Sequence, residues 1–331
     1  MIQGQAFHGG PDGGPEPRFD FSSNANHLGP APALRRILSA VRSDLYPDPA
    51  YAETRLRLAT SCQVGPERIS VGAGAAELIF RAILSQPGAV LSFCPAFGEY
   101  HRCARALGRK TVSAASEEEF LTKLPEQGTA FVCLPNNPDG RLPTAEFLAE
   151  AAQYARKRGT RLILDLAYGP LCEALPKLPE DADWMFAPNK PFGVTGIRAG
   201  WMRCADATFA SKLSELAPAW IVGSHGVALL DWSVSEAGKI WLSRSQKSLM
   251  SARRTFTKRL CEAGLEVRET SANWLLVHSP PTKDTALRLR AQGLRVRDTT
   301  NMGLPGWLRI SIQPKSAGDA LLIALRQIAI D

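Results

Sequence analysis

Several kinds of protein are excluded by what this 331-residue sequence lacks. It has no C-x-x-C pair. Its seven cysteines (Cys62, Cys94, Cys103, Cys133, Cys172, Cys204 and Cys261) are odd in number and scattered. A disulfide framework and a zinc site are therefore not expected, and no metal is predicted. No apolar run approaches the ~20 residues that span a bilayer, so no membrane partner is expected. The opening "MIQGQAFHGGPDGG" has no basic segment followed by an apolar one. That is not the pattern of a secretory leader, and the expected location is cytoplasmic. There is no internal repeat. Basic residues exceed acidic ones, giving +7 at pH 7, but they form no nucleic-acid-binding signature. The excess fits either a solvated basic surface or attraction to anions, and a small phosphorylated ligand suits it better than a nucleic acid.

Composition is that of an ordinary globular chain, 45% hydrophobic and 21% charged. The length suits one large domain and one smaller one. Residues 1–31 are rich in Gly, Pro and Asn and read as an irregular arm. Helical patterns follow at 32–43 and 50–63. Beyond them strands alternate with helices. "RISVGAGAAELIFRAIL" reads as strand, glycine turn and helix, and "AVLSFCP", "KTVSA", "TAFVCLP", "RLILDLAY", "WMFAPN" and "AGWMRC" read as strands. Ser116 and Glu119 have the spacing of a capping box. Nearly continuous apolar strands between helices predict an α/β fold with a mostly parallel sheet covered on both faces. This large domain is placed at 32–215. From 216 to 331 a long helical stretch precedes "NWLLVHS", "LRVRDT" and "WLRISI", which predicts a small α+β C-terminal domain.

Ligands of parallel sheets sit beyond the C-terminal strand ends. Here those turns hold Gly72–Ala76, Cys94–Phe97, Pro135–Pro138, Asp165–Tyr168 and Ala187–Lys190. A lone Lys at an apolar strand end has a lowered pKa and becomes a nucleophile toward aldehydes; the alternative is a surface Lys in a Pro-rich loop. Asp165, ending a buried strand, needs a cation; a protonated pyridine nitrogen or a structural ion pair would serve. Tyr168 and Asn137 are candidate donors to a phenolic oxygen, or a packed ring and a turn residue. "VGAGAAE" offers the free N–H groups of a helix start to an anion. Arg198 would add a charge-assisted bond. Phe97 is either a stacking ring or core.

Together these residues resemble the fold-type-I enzymes dependent on pyridoxal 5'-phosphate. The likeness runs through "DFSSNANHLG", "LYPDPAY", "VGAGAAELI", "CPAFGEY", "LPNNPDG", "LILDLAY", "NKPFGVTGIRAGW", "SANWLLV" and "WLRISI" in order. With the opening "HGG", it is nearest to the L-threonine-O-3-phosphate decarboxylases of cobalamin biosynthesis, and next to the histidinol-phosphate aminotransferases. The resemblance implies a seven-stranded, mostly parallel sheet. It also implies Lys190 as the Schiff-base lysine, Asp165 at the pyridine nitrogen, and Tyr168 and Asn137 at the phenolic oxygen. Phe97 stacks on the ring, while Arg198 with Gly74, Ala75 and Ala76 holds the phosphate. Tyr46 reaches the cofactor of a second subunit, which makes a homodimer with shared sites. His8, Asn26, Gly29, Arg297 and Arg309 surround a small phosphorylated amino-acid substrate. How the two arginines divide carboxylate and phosphate stays open, as does decarboxylation against transamination. The sequence departs from the family pattern at His27, Ala75, Ala76, Leu166, Ala187 and Asn189. The alanines remove side-chain donors from the phosphate cup.

Overall fold

The computed structural model describes residues 8–330; residues 1–7 of the arm lie outside them. The strands are β1 (Phe19–Asp20), β2 (Ile69–Gly72), β3 (Val90–Phe93), β4 (Thr111–Ala114), β5 (Thr129–Cys133), β6 (Arg161–Asp165), β7 (Asp183–Phe186), β8 (Gly200–Arg203), β9 (Val267–Glu269), β10 (Trp274–His278), β11 (Leu294–Arg295), β12 (Arg297–Asp298) and β13 (Trp307–Ser311). The helices are α1 (Pro32–Ser39), α2 (Ala52–Cys62), α3 (Ala75–Leu84), α4 (Glu99–Ala106), α5 (Glu117–Thr122), α6 (Ala145–Lys157), α7 (Ala207–Glu215), α8 (Ser224–Val234), α9 (Glu236–Glu262), α10 (Thr282–Ala291) and α11 (Lys315–Ile330). Among the described residues no helix is long and apolar enough to cross a membrane.

The large sheet has seven strands in the order β2-β8-β7-β6-β5-β3-β4. All run one way except β8, which is antiparallel to both neighbours. Its central strands β3, β5 and β6 are largely apolar and buried because both faces are covered. Phe131 and Ile163 turn to the layer of Leu78, Ile79, Phe209 and Leu213. Their immediate neighbours in sequence, Val132, Leu162 and Leu164, turn to Phe120, Phe147 and Leu148. Local signals agree with this packing. Ser116 accepts the Glu119 N–H at 3.1 Å, while the Glu119 carboxylate reaches back to the Ala115 N–H, so the capping box forms with its return bond one residue early.

The second sheet is antiparallel, β12-β13-β10-β9, and packs on α9 and α11 through Leu249, Leu260, Leu275, Leu308 and Leu321. Three details differ from the sequence expectation. The arm is not wholly irregular: β1 pairs in parallel with β11, and Phe21, fully buried, joins the small core. "LRVRDT" is two strands, one pairing with the arm and the other with β13. The helical stretch after 216 is also divided. In α8, Leu229, Leu230 and Trp232 bury against Leu34, Leu58 and Trp201 beside the large sheet, and Ser235 caps α9 by accepting the Gly238 N–H. The change of packing partner therefore comes along α9, later in the chain than residue 216.

Candidate active site

The C-terminal ends of β2, β3, β5, β6 and β7 share one edge of the large sheet. Since β8 runs the other way, its start lies on that edge too, and Arg198 just before it joins the group. A single rim thus carries residues far apart in sequence.

Lys190 follows β7. Its Nζ donates to the Ser23 carbonyl at 2.9 Å. Burial pulls its pKa down to about 8, with help from the Arg309 and Arg198 charges. At pH 7.5 this leaves about a quarter of the amine neutral, against roughly 0.1% at the ordinary value. Asp165 ends β6 and is 2% exposed. It accepts the Tyr100 hydroxyl at 2.7 Å on one oxygen and the Ala167 N–H at 3.0 Å on the other. Burial raises its pKa despite both donors, and among the described residues no cation pairs with it. A buried carboxylate with no counter-ion is a costly arrangement.

The remaining turns build around these two. The Arg198 guanidinium abuts Gly74, whose φ is +91°; a Cβ there would lie 2.8 Å from Nη2. The glycine thus leaves an open cup between the guanidinium and the first N–H groups of α3, where no side chain caps the helix. That cup has the chemistry of a phosphate site. Phe97 is half-buried, edge-on to Tyr100 at 5.7 Å. Tyr168 packs edge-on to Trp274 at 4.9 Å, and burial pushes its phenol up to about 12, so it stays a donor.

The small sheet contributes the cations. Arg309 in β13 is 3% exposed; it donates to the Asn137 side-chain oxygen and to the Ser22 carbonyl. That turns the Asn137 NH2 into its free donor. Arg297 stands opposite Arg309 in register and donates to Asn301 at 2.7 Å. Burial and the neighbouring Arg309 pull Arg297 down to about 10. No carboxylate among the described residues forms an ion pair with either.

The structure does not bring every predicted residue to this rim in the same way. Asn26 is fully used by the protein. It donates to the Pro191 carbonyl at 2.9 Å and Ser245 at 3.0 Å, and it accepts the Leu28 N–H. Gly29 presses on the Phe192 carbonyl, leaving no room for a side chain. These two hold the Lys190 loop; the Asn26 N–H also donates to the Lys190 carbonyl at 3.0 Å. His8 is bound at 2.8 Å to the buried carboxylate of Glu99 and lies on Phe97. Tyr46 is 78% exposed and stacks on Trp220. It lines a surface cavity of about 1020 Å³ between α1, α2 and α8 whose lining includes none of the residues around Lys190. Tyr100, Glu99 and the Ser22 and Ser23 carbonyls were not anticipated. Tyr100 carried one usable signal, its place one helical turn after Phe97.

The rim fits pyridoxal phosphate: a lone buried carboxylate suits a pyridinium, a cup of N–H groups and a guanidinium suits a phosphate, and a part-neutral lysine suits an aldehyde. Comparison with known proteins agrees. The chain is 30% identical to histidinol-phosphate aminotransferase 2 of Caulobacter vibrioides, covering 92% of this chain and 84% of that one. It is 27% identical to the threonine-phosphate decarboxylase of Salmonella typhimurium, covering 95% and 92%. Its fold matches histidinol-phosphate aminotransferase of Sinorhizobium meliloti, solved in complex with pyridoxal-5'-phosphate, with a TM-score of 0.84 at 20% identity over 95% of this chain and 91% of that one. Residues 17–327 match the family Aminotransferase class I and II. The chain belongs to that family and is an enzyme of its pyridoxal-phosphate-dependent, aminotransferase-like fold.

Proposed function

We propose that the enzyme decarboxylates L-threonine O-3-phosphate, releasing CO2 and (R)-1-amino-2-propanol O-phosphate. The observation that carries this reading is the pair Arg297 and Arg309. Two half- or fully buried guanidinium groups face each other across paired strands with no carboxylate ion-paired to either among the described residues. Like charges held this close call for anions, and threonine phosphate brings two, a carboxylate and a phosphate. Histidinol phosphate brings only one.

When bound, pyridoxal phosphate supplies an aldehyde for the amine and a ring that draws electrons from the bond broken at Cα. Lys190 provides the attaching amine and moves the proton at Cα. Asp165 holds the proton on the ring nitrogen, and Asn137 and Tyr168 donate to the phenolic oxygen. Arg198 and the Ala75 and Ala76 N–H groups would hold the phosphate behind Gly74, and Phe97 would pack against the ring. Arg297 and Arg309 fix the substrate's anions and so decide which bond at Cα is presented to the ring. Asn26 and Gly29 act through the loop of Lys190, and His8 closes the mouth from its seat on Glu99.

A second reading is amino-group transfer, on histidinol phosphate or a related amino acid. The 30%-identical relative bears that activity in its name, and a dicarboxylate partner would also engage two arginines. Incubating cofactor-loaded enzyme with threonine phosphate, and measuring CO2 separately from amino transfer to 2-oxoglutarate, decides between them. CO2 release without transfer is expected. Transfer without CO2 would reject the decarboxylase.

We also propose a homodimer with shared sites. Ile37, Leu45, Leu56, Tyr46 and Trp220 leave large apolar area exposed around one cavity, more than scattered surface residues explain. Covering it with a second copy would carry Tyr46 toward the partner's phosphate cup. Mixing inactive Lys190→Ala chains with inactive Tyr46→Ala chains should then restore activity. Verified heterodimers without recovery would reject the shared site.

A further inference from the structure

We propose that Tyr100 is a positioning residue. It aims the carboxylate of Asp165 and keeps it ionised, and thereby keeps the proton on the cofactor's ring nitrogen. This rests on the reading of Asp165 given above, and the test below separates the two.

Three observations carry it. The first is geometry. The two oxygens of Asp165 are held by donors from two different elements, the Tyr100 hydroxyl of α4 and the Ala167 N–H beyond β6. Each carboxylate oxygen retains a lone pair for a further donor, so the carboxylate is fixed without being saturated. The second is the rigidity of the holder. Tyr100 is 1% exposed and stacked on Phe131 at 4.6 Å with the rings nearly parallel. It is also edge-on to Phe97, one helical turn earlier. The turn that carries Phe97 thus leads directly into the helix start that carries the holder of the carboxylate, and the two rings are in contact. The third is the charge inventory. Burial and the Asp165 carboxylate push the Tyr100 phenol well above its ordinary range, so it remains O–H. Cys133, opposite Asp165 in the β5–β6 register, is likewise pushed up and stays a thiol. Asp165 is therefore the one charged member of this trio, and the Tyr100 hydroxyl is its one side-chain hydrogen-bond donor among the described residues.

The consequence follows from proton competition. A hydrogen bond to the charged form of a carboxylate lowers its proton affinity. Without the hydroxyl, only the Ala167 N–H still opposes burial, and the proton moves from the ring nitrogen toward Asp165. A ring that has lost that proton draws electrons less strongly. A merely structural tyrosine would affect folding but not the position of that proton.

The test uses Tyr100→Phe, which keeps the ring stacked on Phe131, loaded with pyridoxal phosphate labelled with 15N in the ring. The ring-nitrogen resonance is expected to move from the protonated toward the unprotonated position. Affinity for pyridoxal phosphate should fall roughly tenfold or more, the scale of one hydrogen bond to a charged group, while affinity for the analogue with C–H in place of the ring nitrogen stays unchanged. An unmoved resonance, or equal losses for both cofactors, would overturn the proposal. Asp165→Asn is the control: if it too binds both cofactors equally well, the assignment of Asp165 falls, and with it that of Tyr100. If Tyr100→Phe does not fold, difluorotyrosine at position 100 keeps the shape and is a stronger donor. It should raise the pH at which the resonance leaves the protonated position, and an unshifted midpoint would overturn the proposal.

Discussion

The two sheets meet at one site but present opposite electrostatic problems. The large sheet offers a buried anion, Asp165, without a cation. The small sheet offers two adjacent cations, Arg297 and Arg309, without an anion. Neither is relieved by an ion pair among the described residues, although surface charges elsewhere are paired freely, as in Arg290 with Asp12 or Arg259 with Asp319. Uncompensated buried charge is expensive in a folded protein. Its concentration on both sides of one rim is best understood as complementarity to ligands, a pyridinium on one side and acidic groups on the other.

The comparison breaks most completely at Lys190, which belongs to the large sheet but is tuned by the small one. Lys190→Ala is expected to reduce turnover by about 10⁴-fold or more, since both attachment and proton transfer are lost. Borohydride reduction of the parent followed by peptide mapping should place the pyridoxyl group on Lys190. Label on another lysine would remove it from the centre of the site.

Arg297 tests the small-sheet side alone. Arg297→Ala should leave pyridoxal phosphate bound and cost roughly a hundredfold in kcat/KM for threonine phosphate, the scale of a bidentate charged contact. Free threonine should be processed almost equally by both proteins. Equal efficiency on the two substrates in the parent would show that this side of the rim does not read a phosphate.

The two regions were unequally legible in sequence, for a physical reason. On the large sheet, function sits where a strand stops. The run "RLILD" ends on a residue that cannot belong to the core, and Lys190 interrupts an apolar stretch. On the small sheet Arg309 lies inside the strand "WLRIS", and its meaning comes from a neighbour in another strand. Even the strand boundary mattered: only the break after Arg295 sets Arg297 beside Arg309. The arm was least legible. Its asparagine, glycine and histidine fit a substrate site by type, yet Asn26 and Gly29 brace the Lys190 loop and His8 is seated on Glu99. Such assignments depend on long-range packing, which no local pattern records. The departures at Ala75, Ala76 and Ala187, by contrast, were legible as residue types, and no side chain caps the start of α3 beside Gly74.

The tuning of Lys190 gives a smaller, continuous effect. Its pKa is lowered to about 8, and only the neutral amine attacks an aldehyde. Reloading of cofactor-free protein should therefore speed up about tenfold per pH unit below that value and level off above it. Arg309→Gln removes one of the charges that depress it, so the inflection should move upward. Stopped-flow absorbance at a series of pH values measures both. An inflection near the ordinary lysine value in the parent would deny that the small sheet tunes the large one.

The smallest expected effect sharpens the comparison from within the large sheet. On the reading proposed above, its phosphate cup would depend on Arg198 and on the N–H groups at the start of α3, because Ala75 and Ala76 bring no side-chain donors. Ala76 is half-buried in the first turn of α3, and a hydroxyl there is expected to reach the same anion as the helix N–H groups. Ala76→Ser adds one oxygen to a position already in helical conformation, so it costs the helix only a few tenths of a kcal/mol. A charge-assisted bond to the phosphate returns about 1.5–3 kcal/mol. Even the lower end of that range, reduced by the helix cost, leaves a net gain of several-fold in affinity for pyridoxal phosphate. Pyridoxal, which lacks the phosphate, should bind the variant no better than the parent. Titrating both ligands into cofactor-free protein checks the difference. Tighter binding of both would mean that the added hydroxyl acts on something other than the phosphate, and the cup would not be the place where the large sheet receives its anion.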